Sequence, residues 1–133
     1  MKTTGSLIRI AALLMALAVV LGALGAHTLK SKLSPDALMS FETGVRYHLL
    51  HGLAILALAA LSPYLDPKRM RLIAALFLSG ILFFSFSIYL LATREISGLG
   101  DGIKFLGPVT PFGGLLMIAA WIVLAFSISK KQA

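Results

Sequence analysis

The stretch FETGVRYHLLHG, residues 41–52, places five titratable side chains at the entrance of an apolar segment. They are Glu42, Arg46, Tyr47, His48 and His51. The segments that follow and precede it are almost free of charge. A polar entrance into an apolar run is typical of a chain that turns from a membrane surface into the bilayer. We therefore expect this stretch to organise the fold and to hold the best candidate site.

Four long runs of the chain contain no Asp, Glu, Lys or Arg. A hydrocarbon core of about 30 Å requires about 20 apolar residues of helix, and backbone groups inside lipid must be satisfied within the segment. The runs also lack the alternation typical of transmembrane barrel strands. We predict an all-α integral membrane protein with one domain, 1–133, and four transmembrane helices. Their predicted ranges are about 7–28, 45–65, 71–93 and 110–129.

Composition agrees with a membrane protein and excludes several other classes. Of 133 residues, 59% are apolar and 13% charged, and the mean hydropathy is +0.95. The formal net charge is +7, but Lys and Arg lie at the ends of apolar runs rather than in a stripe. This distribution excludes nucleic-acid binding. The absence of cysteine excludes thiol catalysis, disulfides and cysteine-based metal sites.

The first apolar run resembles a signal peptide in part, because Lys2 and Arg9 are basic and residues 24–26 include small side chains. The run is longer than the 7–15 apolar residues of a signal peptide. Small residues also recur every fourth position at Ala18, Gly22 and Ala26, which favours close helix packing. We predict a retained helix.

A helix start precedes the second run at Ser34-Pro35-Asp36, with serine as the N-cap and proline in the first turn. Leu38, Phe41 and Val45 then form an apolar stripe. The pattern predicts a short amphipathic helix in the membrane interface at about 35–44, with a bend at Gly44 into the second span.

The distribution of basic residues predicts the orientation. The N-terminus, the 66–71 connection and the C-terminus carry seven Lys and Arg residues, against five on the other side. The positive-inside rule therefore puts both termini in the cytoplasm. In either orientation, alternating spans bring His27, the 42–51 stretch, Arg94 and Thr110 to the same side of the membrane.

Five blocks of the chain together resemble a known family. They are Gly22–His27 (GALGAH), Phe41–Tyr47 (FETGVRY), His51, Ser85-x-Ser87-x-Tyr89 and Leu106–Gly114 (LGPVTPFGG). In these blocks the chain is similar to the YgdD-like family, domain of unknown function 423, whose eukaryotic relatives include transmembrane protein 256. The resemblance implies a small four-helix protein of the bacterial inner membrane and implies no activity. His48 stands where the family pattern favours glutamine, so no role for His48 follows from the resemblance.

The candidate polar site comprises Glu42, Arg46, Tyr47, His51, His27 and Thr110. Glu42 and Arg46 have the spacing and order of a helical ion pair, which either orients the interfacial segment or tunes a proton or anion site. His51 is expected to face the bundle interior and to bond to backbone or to Thr110. His27 ends the first helix, where a cation or a carbonyl cap is favoured. Trp121 is interpreted as a packing or lipid contact.

Three functions remain open from the sequence. The first is a non-enzymatic accessory subunit or oligomeric structural module, in contact with the lipid bilayer and with its own copies or another membrane protein. The second is a small oligomeric transporter or channel with a polar site at the outer leaflet. The third is a haem- or metal-binding module, for instance with haem held between His27 and His51. No metal-ligand spacing is present, and we predict no cofactor and no catalytic residue.

Overall fold

The computed structural model describes residues 2–128, and every regular element in that range is helical. The α-helices are α1 (Lys2–Ala26), α2 (Pro35–Ala60), α3 (Pro67–Ile81), α4 (Ser87–Thr93) and α5 (Val109–Ala125). A π-helical segment, Leu82–Phe86, joins α3 to α4, so these three elements form one continuous rod. Short 3₁₀ turns occupy Leu29–Ser31, Ser62–Tyr64 and Gly100–Leu106.

Helix α1 packs against α2 through small residues. A Cβ added to Gly25 would lie 3.3 Å from Phe41, and one added to Gly22 would lie 3.4 Å from Val45. At the other end, Gly52 of α2 faces Met15 of α1, so the two helices are antiparallel. The predicted small-residue face is therefore confirmed as a packing face, except that Ala26 is exposed and Gly25 takes its place.

Helix α2 runs without interruption through the stretch that was predicted to contain a bend. Ser34 caps it, since its Oγ accepts a hydrogen bond of 3.3 Å from the Ala37 amide. The predicted separate helix at 35–44 is wrong as an element boundary, because these residues form the first turns of α2. The helix stays continuous because one buried face extends along it, at positions 41, 44, 45, 48, 51, 52, 54, 55, 58 and 59.

Gly44 is a packing position in the middle of this helix. A Cβ there would lie 2.9 Å from Cε1 of Tyr89 and 3.2 Å from Cγ2 of Ile88. Any larger residue would push α4 away from α2. The glycine is explained by this close approach and not by a bend.

The rod of α3, the π-helical segment and α4 contacts α5 at two glycines. A Cβ on Gly80 would lie 2.6 Å from Cγ of Met117, and one on Gly113 would lie 2.6 Å from the Phe83 carbonyl carbon. The Gly113 contact is with the backbone of Phe83 and Phe84 in the π-helical segment. Glycine is required here because no side chain can fit between the two backbones.

The apolar core lies between α2, α3 and α5, and Leu7 and Ala11 of α1 extend it. Its largest fully buried apolar side chains are Phe77, Ile55, Leu58, Ile73 and Ile81. A smaller cluster of Phe41, Val45 and Tyr89 lies nearer the start of α2. The two clusters together make α2 and the α3–α4 rod the centre of the bundle.

Within residues 2–128, three helical segments are long and apolar enough to cross a membrane: Thr4–Ser31, Pro67–Thr93 and Gly100–Ala125. They correspond to the first, third and fourth predicted spans. Helix α2 has the length of a span but is less apolar, because Arg46, His48 and His51 fall within it. The fourth span was predicted to reach residue 129, which lies outside the described residues, and α5 ends at Ala125.

Candidate functional site

His51 is the best-connected polar side chain of the bundle interior. It is 6% exposed and projects from α2 towards α3 and α5. Its ring lies 5.7 Å from that of Phe77 and 6.1 Å from that of Trp121, between ring centroids. The ring of Tyr47, one turn earlier on α2, stacks on it at 5.8 Å. The prediction that His51 faces the interior is confirmed.

Both ring nitrogens of His51 are engaged. Nδ1 lies 2.8 Å from the Tyr47 carbonyl oxygen, which can only accept, so Nδ1 carries the proton and donates. The indole N–H of Trp121 donates to Nε2 at 3.2 Å. These partners fix a neutral imidazole with one donor and one acceptor, both used. No lone pair of His51 is left for a haem iron or another metal.

Trp121 therefore does more than the sequence indicated. Its indole is 47% exposed, so one side of the ring faces outwards while its N–H points to His51. The ring also packs edge-on against Phe77 at 5.0 Å. No pattern in the sequence pairs Trp121 with His51, which is 70 residues away along the chain.

His48 forms a second buried polar pair, with Tyr89 of α4. The imidazole is 0% exposed, and its Nδ1 lies 3.1 Å from the Tyr89 hydroxyl. Among the described residues, Nε2 of His48 has no hydrogen-bond partner. The ring contacts Phe86 at 5.6 Å. No role was predicted for His48, yet it is the most deeply buried of the three histidines.

Three hydroxyl groups near the π-helical segment make further polar contacts between helices. Ser85 donates a hydrogen bond of 2.8 Å to the Gly44 carbonyl, which ties the rod to α2. Ser87 and Thr110 lie 2.6 Å apart, which ties α4 to the start of α5. Of the two partners predicted for His51, backbone is confirmed by the bond to the Tyr47 carbonyl, whereas Thr110 is not its partner, since Thr110 bonds to Ser87.

The predicted pairing of Glu42 with Arg46 is absent. Both side chains are exposed, and the ion pairs of residues 2–128 join Arg94 to Glu95 and Lys104 to Asp101. Both positions lie outside the buried face of α2, so no neighbouring helix holds the two side chains together. His27 is exposed at the end of α1 and makes no side-chain hydrogen bond or ring contact within the described part.

The six predicted site residues are thus not assembled into one site. Tyr47 and His51 form one cluster with Trp121 and Phe77, whereas Thr110 belongs to another contact. Within residues 2–128, no group of three His, Cys, Asp or Glu side chains is placed to hold a metal ion.

A cleft of 550 Å³ does lie at the end of the bundle where the polar helix ends were predicted to meet. The start of α2, the end of α4 and the start of α5 form its walls. Thr110 alone of the six predicted residues lines it. The charged residues of the cleft are Lys32, Asp36, Arg94 and Glu95.

Comparison with known proteins places the chain in a family. The sequence profile described as "Protein of unknown function (DUF423)" matches residues 21–114. The chain is 37% identical to the UPF0382 membrane protein YwdK of Bacillus subtilis over 115 residues, covering 86% of this chain and 88% of that one. It is 38% identical to the UPF0382 membrane protein SH2409 of Staphylococcus haemolyticus over 119 residues, covering 90% and 91% of the two chains.

A further relative is the UPF0382 membrane protein of Haemophilus influenzae. It is 38% identical over 115 residues, which cover 86% of this chain and 86% of that one. No solved structure matches the fold. The matched residues contain the start of α2, both buried histidines and the contact of Gly113 with the π-helical segment. The chain belongs to the DUF423 family and is related to the UPF0382 membrane proteins.

Proposed function

We propose that α2 is a fourth transmembrane helix. Its 26 residues extend over about 39 Å at 1.5 Å per residue, which exceeds a hydrocarbon core of about 30 Å. Its two histidines are buried and hydrogen-bonded, and polar groups that face a bundle interior are tolerated in a span. The excess of about 9 Å corresponds to roughly six residues, so the first turns of α2, residues 35–40, then lie in the membrane interface.

Four spans put both termini on the same side of the membrane, a bacterial inner membrane. The distribution of Lys and Arg favours the cytoplasmic side for both termini. A reporter that is active only in the cytoplasm should be active when it is fused after residue 128 or within the 66–68 connection. A reporter that is active only outside the cytoplasm should be active when it is fused at Ser97. A C-terminal fusion that is active outside would contradict this orientation, and opposite sides for the two termini would contradict four spans.

We further propose that the protein works without catalysis, as an accessory subunit of a membrane complex or as a homo-oligomer. The observation that carries this proposal is the internal pairing of His51 with the Tyr47 carbonyl and Trp121, which engages both ring nitrogens of the one histidine of the candidate site that lies inside the bundle. Glu42 and Arg46 are exposed and unpaired with each other, so they give little support to a transport site.

The outer helices supply surface for such assembly. In the most apolar 18 residues of the first span, 17% of the residues are buried, and the value for the last span is also 17%. The corresponding value for the span formed by α3 and α4 is 44%. Helices α1 and α5 therefore present most of their surface outwards, and membrane helices associate through packing of such surfaces.

Purification in a mild detergent, with the molar mass measured by light scattering, tests the proposal. We expect a particle heavier than one chain, either from copies of this protein or from a co-purified membrane protein. Cross-linking in the native membrane should give the same species. A single chain without partners in both experiments would rule the proposal out.

A further inference from the structure

The cleft at the end of the bundle lies at the level of a membrane surface. Arg94 immediately follows the apolar segment Pro67–Thr93, and Lys32, Ser34 and Asp36 come from the turn into α2. The cleft is therefore bounded by residues at the end of one span and before the main apolar part of another. A molecule in it would lie among lipid headgroups.

The lining of the cleft is amphiphilic. Apolar side chains come from the α2 wall and from the α4 wall and the residues after it: Leu33, Ala37, Ile88, Leu91, Ala92 and Ile96. Hydroxyl and charged groups share the same space, including Ser40 and Thr43. Its volume of 550 Å³ falls within the range of about 300–1,000 Å³ that is typical of small-molecule sites. A ligand with a charged head and an apolar body fits this lining.

Arg94 indicates that a ligand of the cleft would carry an anionic group. Its side chain is 32% exposed, and its Nη1 donates to the Leu91 carbonyl at 3.2 Å. The Nε atom is buried and has no partner among the described residues. A guanidinium group binds phosphate oxygens through charge-assisted hydrogen bonds, and here the exposed part of the side chain, rather than the buried Nε, can reach a phosphate in the cleft.

The other charges of the cleft complement a zwitterion. Lys32 adds a second cation, and Asp36 and Glu95 add two carboxylates. Within residues 2–128, Lys32 and Asp36 form no ion pair, and the Arg94–Glu95 pair is long at 3.9 Å. The two carboxylates are thus free to accept hydrogen bonds from a primary ammonium group.

We propose that this cleft binds the headgroup of a phospholipid that carries a primary amine, phosphatidylethanolamine. Arg94 and Lys32 hold the phosphate, and Asp36 and Glu95 hold the ammonium group. The acyl chains leave along the apolar lining into the bilayer. Inorganic phosphate shares the first half of this chemistry, but it would use neither the carboxylates nor the apolar side chains.

Lipid titration of the purified protein, followed by native mass spectrometry, tests the proposal. The probes are phosphatidylethanolamine, phosphatidylcholine and phosphatidylglycerol with the same acyl chains. We expect phosphatidylethanolamine to bind roughly fivefold or more tightly than either of the others, because only its headgroup combines a phosphate with a cationic group that donates charge-assisted hydrogen bonds to carboxylates. Equal binding of all three lipids would overturn the proposal.

Two further measurements distinguish a free anion from a lipid as the ligand. The thermal stability of the purified protein is measured with inorganic phosphate and, separately, with glycerophosphoethanolamine. We expect no stabilisation by phosphate and weak stabilisation by glycerophosphoethanolamine at the same concentration. Stabilisation by phosphate equal to that by the lipid would show an anion site and would overturn the assignment to a phospholipid.

Variants locate the binding within the cleft. We expect Arg94→Gln to weaken phosphatidylethanolamine binding by roughly tenfold, Lys32→Gln to weaken it less, and Asp36→Asn to reduce the preference over phosphatidylcholine. Lys30→Gln is the matched control, since Lys30 is an exposed cation that does not line the cleft.

If Arg94→Gln does not fold, Lys32→Gln and Asp36→Asn decide the question, because both residues are exposed. Binding by these two variants that equals binding by Lys30→Gln would overturn the proposal.

Discussion

The indole N–H of Trp121 donates a hydrogen bond of 3.2 Å to Nε2 of His51 and so joins α5 to α2. The opposite nitrogen of the imidazole donates to the Tyr47 carbonyl at 2.8 Å. Together the two bonds satisfy a histidine that is surrounded by aromatic rings. Histidine inside an apolar bundle is costly unless both nitrogens find partners, so this relationship explains how α2 can carry His51 within the bundle.

We expect Trp121→Phe to lower the free energy of unfolding by about 1 kcal/mol. The substitution keeps most of the ring contact with Phe77 and removes the donor to His51. Equilibrium unfolding in detergent measures the loss, and ¹⁵N NMR of the imidazole follows the tautomer, which the Trp121 bond holds with the proton on Nδ1. Ile118→Val is the control, since Ile118 is an exposed side chain on the same helix. An unchanged His51 spectrum in Trp121→Phe would contradict the hydrogen bond.

The contact between α5 and the π-helical segment gives a second prediction. We expect Gly113→Ala to destabilise the protein by about 1–3 kcal/mol, because the added Cβ would lie 2.6 Å from the Phe83 carbonyl carbon and meet backbone that cannot rotate away. In Gly114→Ala the Cβ would lie 3.6 Å from the Phe84 ring, an ordinary contact. The adjacent glycine is therefore a matched control. Comparable stability of the two variants in thermal unfolding would contradict this account of Gly113.

The buried pair of His48 and Tyr89 gives a third prediction. We expect Tyr89→Phe to cost about 1–3 kcal/mol, since it leaves an imidazole that is 0% exposed without any partner among the described residues. Tyr47→Phe removes a hydroxyl from a side chain that is 38% exposed and whose hydroxyl makes no hydrogen bond in the described part. It should change the unfolding free energy by less than about 0.5 kcal/mol. Equal effects of the two substitutions would show that the His48–Tyr89 bond contributes nothing.

The helical class and three of the four apolar segments could be predicted because they depend on local composition. Length, freedom from charge and the capping pattern at Ser34 act within a single helix, and the small-residue face of α1 has a helical period. The split between a 35–44 helix and the second span was wrong because Gly44 has two explanations. A glycine permits a bend, and it equally permits the close approach of Tyr89, which only the packing partner can reveal.

The partners of the polar side chains could not be predicted for a similar reason. Ser85 and Tyr89 are four residues apart and therefore share a helix face, which indicates that they act together but not that they meet Gly44 and His48. Trp121 carries no local signal for its bond to His51. Helix alternation correctly predicted that Thr110, the start of α2 and the end of α4 lie at one end of the bundle. The rotation of each helix decides which side chains enter the cleft.

Glu42 and Arg46 show how local spacing can mislead, and they give a fourth prediction. Their separation of four residues favours an ion pair in an isolated helix, with a stabilisation of about 0.2–0.5 kcal/mol. In the structure both side chains are exposed and the pair is not formed.

We expect a double-mutant cycle of Glu42→Gln and Arg46→Gln to give a coupling energy within about 0.3 kcal/mol of zero. The coupling is measured by unfolding at low ionic strength, where an ion pair would be strongest. Asp101 and Lys104, whose charged atoms lie 2.9 Å apart, provide the positive control in the same experiment. A coupling between Glu42 and Arg46 that exceeds this control would restore the ion pair and, with it, the case for a charged site on that side of α2.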